Sequence, residues 1–275
     1  MPEERIASVG VLRITSDGAE ETDDTLAVEE PLEIRVAEKP ISVTMRTPGD
    51  DFDLAVGFLF TEALIRSGDD IDSIRHWGSP NVVRVALAEG ASIDASKLDR
   101  HFYTTSSCGV CGKTSIDAVR VIRGGSPAGE KQTPAGLPAP HRTSVSRALV
   151  HRLPELLATH QPAFHATGGL HGAAVLRQTG ELLRIREDVG RHNAVDKVIG
   201  SLVREDPASL PGAILMVSSR ASFELVQKAI VAGITVLAAV GAPSTLAVDA
   251  AREFGLTLLG FVRDRRFNVY AGAVE

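Results

Sequence analysis

Cys108 and Cys111 are the only cysteines among 275 residues, and they stand three apart. The stretch around them, residues 104–114, reads Thr-Thr-Ser-Ser-Cys-Gly-Val-Cys-Gly-Lys-Thr. Gly109 and Gly112, bordered by Ser106, Ser107 and Thr114, predict a mobile polar loop rather than a helix or strand interior. A buried free cysteine packs like a small hydrophobe, so placing both thiols in one glycine-rich loop points to chemistry. Three chemistries compete, beside the plain alternative of two unreactive thiols. Structural zinc needs four ligands, and histidines would have to complete the set. A thioredoxin-like redox pair follows a strand and opens a helix, whereas residues 101–105 are short and weakly periodic. Sulfur handling through a thiolate or persulfide suits an accessible pair.

Two further constellations could surround such a reaction. His165 and His171 flank Gly168-Gly169, and His192 stands beside Glu187, Asp188 and Arg191, a grouping suited to a polar pocket. A thiol near imidazolium or guanidinium would have its pKa lowered and its nucleophilicity increased. The segments Ser218-Ser219-Arg220, 241–245 and Arg263-Asp264-Arg265-Arg266 each follow an apolar run. Hydroxyls and glycine at helix starts present N–H groups to anions, and arginine forks match phosphate geometry. A nucleotide or pyrophosphate is the ligand such features would take; helix capping plus a solvated charge run accounts for the spacing equally well. Neither Gly-x-Gly-x-x-Gly nor a Walker sequence occurs, so this is not a standard dinucleotide or P-loop site. The zinc deaminase signature, His-x-Glu followed by Pro-Cys-x-x-Cys, fits poorly. The cysteines here precede His165, no proline precedes Cys108, and Thr167 stands where the glutamate belongs.

The elements that must position these residues follow from periodicity. Leu32, Ile34 and Val36, then Ile41, Val43 and Met45, alternate with polar residues and predict a β-hairpin. Asp50 or Asp51 could cap a helix running to about Ile65. Val83, Val85 and Leu87 predict another strand, and residues 116–122 fit helix or strand. Ser144 or Ser146 starts a helix containing Pro154, with a hairpin around Thr179-Gly180 beyond it and a helix from about Arg191. From residue 213 the pattern is β-α-β-α-β: strands at 213–217, 234–240 and 256–262, with helices at 223–232 and 245–254. That alternation predicts a parallel sheet whose strand ends converge on one ligand-binding edge.

Four stretches follow. Residues 1–27 read as a poorly ordered extension, apart from an edge strand at Ile6–Ile14. Residues 28–123 form a β-rich part with the cysteine loop, 124–142 a Gly/Pro-rich linker or insert, and 143–275 an α/β cofactor-binding part. Hydrophobic residues make up 44% and charged residues 23%, a soluble globular composition. The net charge of −6 argues against broad nucleic-acid or membrane binding. No apolar run reaches the roughly 18 residues of a membrane span. A cytoplasmic protein with reduced thiols and no intrinsic metal is expected.

Taken together, five stretches resemble the FdhD family, the formate dehydrogenase accessory sulfurtransferases. They are residues 107–113 (Ser-Cys-Gly-Val-Cys-Gly-Lys), 164–171 (Phe-His-Ala-Thr-Gly-Gly-Leu-His), 187–197 (Glu-Asp-Val-Gly-Arg-His-Asn-Ala-Val-Asp-Lys), 222–224 (Ser-Phe-Glu) and 260–263 (Gly-Phe-Val-Arg). The resemblance covers roughly residues 28–270. It implies a cytidine-deaminase-like three-layer α/β/α fold and a homodimer. It further implies sulfur received from a cysteine desulfurase as a persulfide on Cys108, with Cys111 second in the loop. The acceptor would be Mo-bis(molybdopterin guanine dinucleotide), destined for the formate dehydrogenase apoprotein. Phe261, Val262, Arg263, Asp264, Arg265 and Arg266 match the family's cofactor-binding segment, which would take the guanine nucleotide moiety. The alternatives are a molybdenum-cofactor chaperone without sulfur transfer and a zinc-dependent deaminase-like hydrolase.

Overall fold

The computed structural model describes residues 4–93 and 145–275. Cys108, Cys111, the predicted loop at 104–114, the stretch at 116–122 and the Gly/Pro-rich segment at 124–142 lie outside the described residues. No described helix is long and apolar enough to cross a membrane.

The predicted hairpin forms as β3 (Glu30–Val36) and β4 (Lys39–Arg46), with Leu32, Ile34 and Val36 turned into the core. β5 (Ile71–His76), which the sequence pattern does not reveal, and β6 (Val82–Leu87) complete a four-stranded sheet of order β4-β3-β6-β5. Its inner face packs on α1 (Asp51–Thr61). Asp50 precedes α1 in a left-handed conformation and makes no side-chain cap bond. Its carboxylate lies instead 3.4 Å from Arg186. The helix stops at Thr61 rather than near Ile65: Ala63 takes a positive φ, and the amides of Leu64 and Ile65 turn back to the Leu59 carbonyl.

Residues 145–275 build a six-stranded sheet of order β12-β11-β10-β9-β7-β8. β7 (His171–Leu176) and β8 (Leu182–Asp188) form the antiparallel hairpin predicted around Thr179-Gly180. β9 (Ile214–Val217), β10 (Val236–Ala239) and β11 (Thr257–Arg263) are parallel, as the β-α-β-α-β alternation predicts. β12 (Arg266–Ala271) is an addition; it folds back antiparallel onto β11, so the sheet is mixed. Alternate residues of these strands feed two cores. One side packs on α2 (Arg147–Ala158), whose Leu149, Val150, Leu153 and Leu157 are buried despite Pro154. The other packs on α4 (Arg191–Glu205), α5 (Phe223–Val231) and α6 (Thr245–Phe254), while a short α3 (Pro162–Thr167) precedes β7. Burying each such aliphatic side chain contributes about 1.5–3 kcal/mol. The chain is therefore a mixed α/β fold with more than one sheet.

The two sheets are joined through helices. α1 crosses α4 so closely that a Cβ on Gly57 would stand 1.8 Å from the Asp196 carbonyl oxygen, and one on Gly200 would stand 1.9 Å from that of Asp53. Only glycine fits either position.

A further difference from the sequence reading concerns residues 1–27. The strand at Ile6–Ile14 exists, as β1 (Ile6–Thr15), but the acidic stretch beside it is not poorly ordered. It is β2 (Gly18–Ala27), paired with β1 from Ile6–Ala27 to Thr15–Gly18 without a register break. Local pairing satisfies both backbones through the ladder while the carboxylates stay in water, so acidity alone did not forbid a strand.

Candidate functional site

The parallel strands β9, β10 and β11 all end on one edge, and antiparallel β7 and β8 bring His171 and Asp188 to the same edge, where the two residues pair in register. Helices α4 and α5 begin there, at Arg191 and Phe223. Their N-terminal N–H groups carry partial positive charge.

The 187–197 stretch divides at this edge into groups that hold the fold and groups that face outward. Glu187 is buried, and its two oxygens accept the Ala163 and Phe164 amides (3.2 and 2.7 Å), capping α3. Asp188 is fully buried, 2.8 Å from the equally buried Lys197 ammonium. It also accepts the amides of Thr47 and Gly190 and the Asn193 side chain. Lys197 donates in turn to the Thr47 carbonyl at 2.7 Å, and Asn193 donates to that of Met45. This network fastens the β4–α1 connection to the start of α4. One turn further on, Asp196 binds Lys228 of α5 at 2.8 and 2.9 Å and accepts from Thr61 of α1. Burial alone would lower the Lys228 pKa, but the Asp196 and Glu62 carboxylates outweigh it and hold the ammonium above the usual lysine range.

Arg191 is only partly covered, and His192, itself buried, faces the start of α5. The His192 Nε2 lies 3.4 Å from the Ser222 hydroxyl and 3.8 Å from the Glu224 carboxylate. Burial raises the Glu224 pKa, but hydrogen bonds from His192, Ser222 and its own amide outweigh this and bring it to about 2. Glu224 is therefore ionised at neutral pH and orients His192. His171 is lowered from 6.5, first by burial and then by the neighbouring Arg191 and His192 charges, against the opposing pull of Asp188. It is neutral at pH 7 and can donate or accept. The Arg191 Nε is buried and makes no hydrogen bond among the described residues. A neutral imidazole, a carboxylate-paired imidazole and a guanidinium at one helix start can bind an anion and hold or move a proton.

The other sequence candidates are placed differently. Ser218 stays on the edge, accepting the Gly172 amide at 3.0 Å. The Ser219 hydroxyl donates to the Arg220 carbonyl, and Gly241 packs so close to the Arg220 backbone that an added Cβ would stand 3.0 Å from its Cα. His165 does not join His171 and His192: its ring nitrogen lies 2.7 Å from the Ala158 carbonyl at the end of α2. Arg263, Asp264, Arg265 and Arg266 form the β11–β12 turn, with positive φ at both Asp264 and Arg265. Phe261, at a register shift, also has positive φ, and the Arg263 guanidinium stands 5.9 Å from its ring. Val262 is buried against the α2 core. The arginines line a pocket with His151, Pro154 and Glu155 of α2. Four strand spacings, about 19 Å, separate β11 from β8, so the arginine turn and the histidine cluster occupy opposite ends of the edge. Ser222 and Glu224 belong to the cluster although the sequence reading left them outside the pocket. Their signal was a serine just before α5 and a carboxylate in its first turn.

Comparisons with known proteins agree on one relationship. A model described as the FdhD/NarQ family matches residues 27–275. The protein named sulfur carrier protein FdhD from Streptomyces coelicolor is 49% identical over 271 residues, covering 96% of this chain and 93% of that one. Its namesake in Mycobacterium tuberculosis is 45% identical over 274 residues, covering 96% and 95%. Among solved structures, a candidate formate dehydrogenase accessory protein from Desulfotalea psychrophila superposes with a TM-score of 0.74, at 22% identity over 98% of each chain.

Proposed function

The chain belongs to the FdhD/NarQ family, and from that premise we propose that it is a cytoplasmic sulfur carrier with sulfurtransferase activity. The observation that carries this reading is near-half identity, along almost the whole chain, to relatives named sulfur carrier proteins. The Cys108 thiolate attacks the outer sulfur of a cysteine desulfurase persulfide; a new S–S bond forms at Cys108 as the donor's breaks, and the donor leaves as a thiolate. Cys111, three residues further along the chain, assists. The sulfane sulfur then passes as a neutral atom to Mo-bis(molybdopterin guanine dinucleotide), the substrate: the S–S bond at Cys108 breaks, Cys108 leaves as a thiolate, and a reduced molybdenum centre supplies the two electrons that turn the incoming sulfur into sulfide. The loaded cofactor goes to the formate dehydrogenase apoprotein. Chemical fit supports the acceptor: its two pyrophosphates call for cations and N–H donors, which the strand-end edge offers at Arg263, Arg265 and Arg266 and at the start of α4. The deaminase-like three-layer fold and the homodimer belong to the same reading.

Incubation with a cysteine desulfurase and cysteine, followed by intact-protein mass spectrometry, should show addition of single sulfur atoms that Cys108→Ala abolishes. Sulfur retained in that variant overturns the assignment. If Cys108→Ala and Cys111→Ala still mature formate dehydrogenase, the protein is a cofactor chaperone instead.

A further inference from the structure

The arginine turn has a second wall, supplied by α2. His151, Pro154 and Glu155 enclose a cavity of about 130 Å³ together with Val262, Arg263, Asp264, Arg265 and Arg266. His151 and Glu155 are four residues apart on the helix and Pro154 stands three after His151, so all three share one face. The His151 ring lies 5.2 Å from that of Phe267, tilted by 58°, and Val262 is buried. The cavity therefore sets an aromatic and apolar surface beside a carboxylate. Glu155 makes no side-chain hydrogen bond or ion pair among the described residues, although three arginines line the same cavity. A carboxylate beside an anion site repels phosphate, so it suits a ligand that also brings donors of its own.

A nucleotide base is such a ligand. The cavity is smaller than the roughly 300 Å³ or more that a whole small-molecule ligand occupies, so it suits one ring system whose phosphates stay outside at the turn. Guanine presents two adjacent donors, the N1–H and the N2 amino group, which match the two oxygens of one carboxylate in charge-assisted hydrogen bonds. Adenine presents an acceptor at N1 and would set a lone pair against that carboxylate. Aromatic surfaces stack with every base and give affinity without choice. We propose that Glu155 selects guanine at this cavity, its carboxylate accepting from the N1–H and the N2 amino group while the His151–Phe267 pair stacks on the ring and Arg263, Arg265 and Arg266 take the phosphates. Asp264 is the other carboxylate here, but it lies in the turn itself, 3.9 Å from Arg263, among the groups that meet phosphate. Glu155 in this role presupposes the guanine nucleotide that the preceding reading brings to the arginine turn.

Calorimetric titration of the full chain with GDP, IDP and ADP tests the proposal. IDP keeps the N1–H and lacks the N2 amino group, so the wild type is expected to bind GDP about tenfold more tightly than IDP and about 100-fold more tightly than ADP. Glu155→Gln preserves the shape of an exposed side chain, and a glutamine amide can pair with two adjacent atoms of adenine. The preference for GDP over ADP is expected to fall by about 30-fold or more in that variant. The ratio is the measure, because removing a negative charge near the phosphates strengthens both nucleotides alike. Arg263→Ala is expected to weaken GDP and ADP together. A wild type without preference among the three, or a preference that Glu155→Gln retains while Arg263→Ala still weakens GDP, overturns the role of Glu155 and leaves the nucleotide site standing. A wild type that binds neither GDP nor ADP, or an Arg263→Ala variant of unchanged affinity, overturns the site at the turn and the role of Glu155 with it.

Discussion

The polar seam between α1, α4 and α5 and the rim at the strand ends are built partly from one stretch, residues 187–197, yet they treat charge in opposite ways. In the seam, Asp188 faces Lys197 and Asp196 faces Lys228, every one of the four buried, with hydrogen bonds to backbone and hydroxyl partners. On the rim, Arg191, His171 and the Arg263–Arg266 turn are only partly covered or exposed, and Arg191 keeps a nitrogen without a partner among the described residues. A buried charge must be paired to be tolerated. A binding charge must keep some capacity unused. The motif thus fixes its helix with one set of side chains and leaves another set at the helix start available to a ligand.

Breaking the seam should have the largest effect. Lys197→Met leaves the buried Asp188 carboxylate without its cation, which is expected to cost about 3–5 kcal/mol in urea unfolding. If the loss is instead below about 1 kcal/mol, the seam is no more demanding than the surface. The rim should respond through ligands rather than stability. Arg263→Ala is expected to weaken GDP, a fragment of the proposed acceptor, by about tenfold at low salt, with a difference that shrinks as salt rises. An unchanged Kd removes the arginine turn from the site. Glu224→Gln should have the smallest effect of the three and is distinguished by its pH dependence. The Glu224 carboxyl is depressed from 4.5 to about 2 in the folded chain, so its stabilisation is present above 4.5 and is lost as pH falls toward 2. The stability gap between wild type and Glu224→Gln should close over that window in thermal melts; a gap that persists at the acid end contradicts the pairing with His192 and Ser222.

Much of the fold was legible. Alternation at Leu32–Val36 and the apolar runs at 213–217, 234–240 and 256–262 gave strands, because burial on one or both faces imposes those patterns. The limits of the helix at 245–254 were also readable: the Ser244 hydroxyl before it accepts the Ala247 amide, and Gly255 after it takes the left-handed conformation. β5, β12 and β2 were not legible as strands. In these Asp, Ser, Arg, Asn and Glu are tolerated because much of each strand faces water, and pairing partners supplied what local pattern did not. For the site, the sequence picked out His171, Asp188, Arg191 and His192 as a polar group. It could not tell that Asp188 is sealed beneath the helix while His192 faces Glu224, nor that His165 turns toward α2.

What the sequence alone determined is the kind of chemistry at hand. It comprises two thiols three residues apart, arginines after an apolar run, and histidines among carboxylates, since side-chain type and spacing are local properties. Tertiary structure decided which of these groups are available. Gly57 and Gly200 let α1 and α4 meet at backbone contact, and that approach buries the Asp196–Lys228 pair. Which carboxylate neutralises which cation, and which charge remains for a ligand, depends on elements more than a hundred residues apart in the chain, such as Thr47 and Asp188. No local pattern encodes that distance.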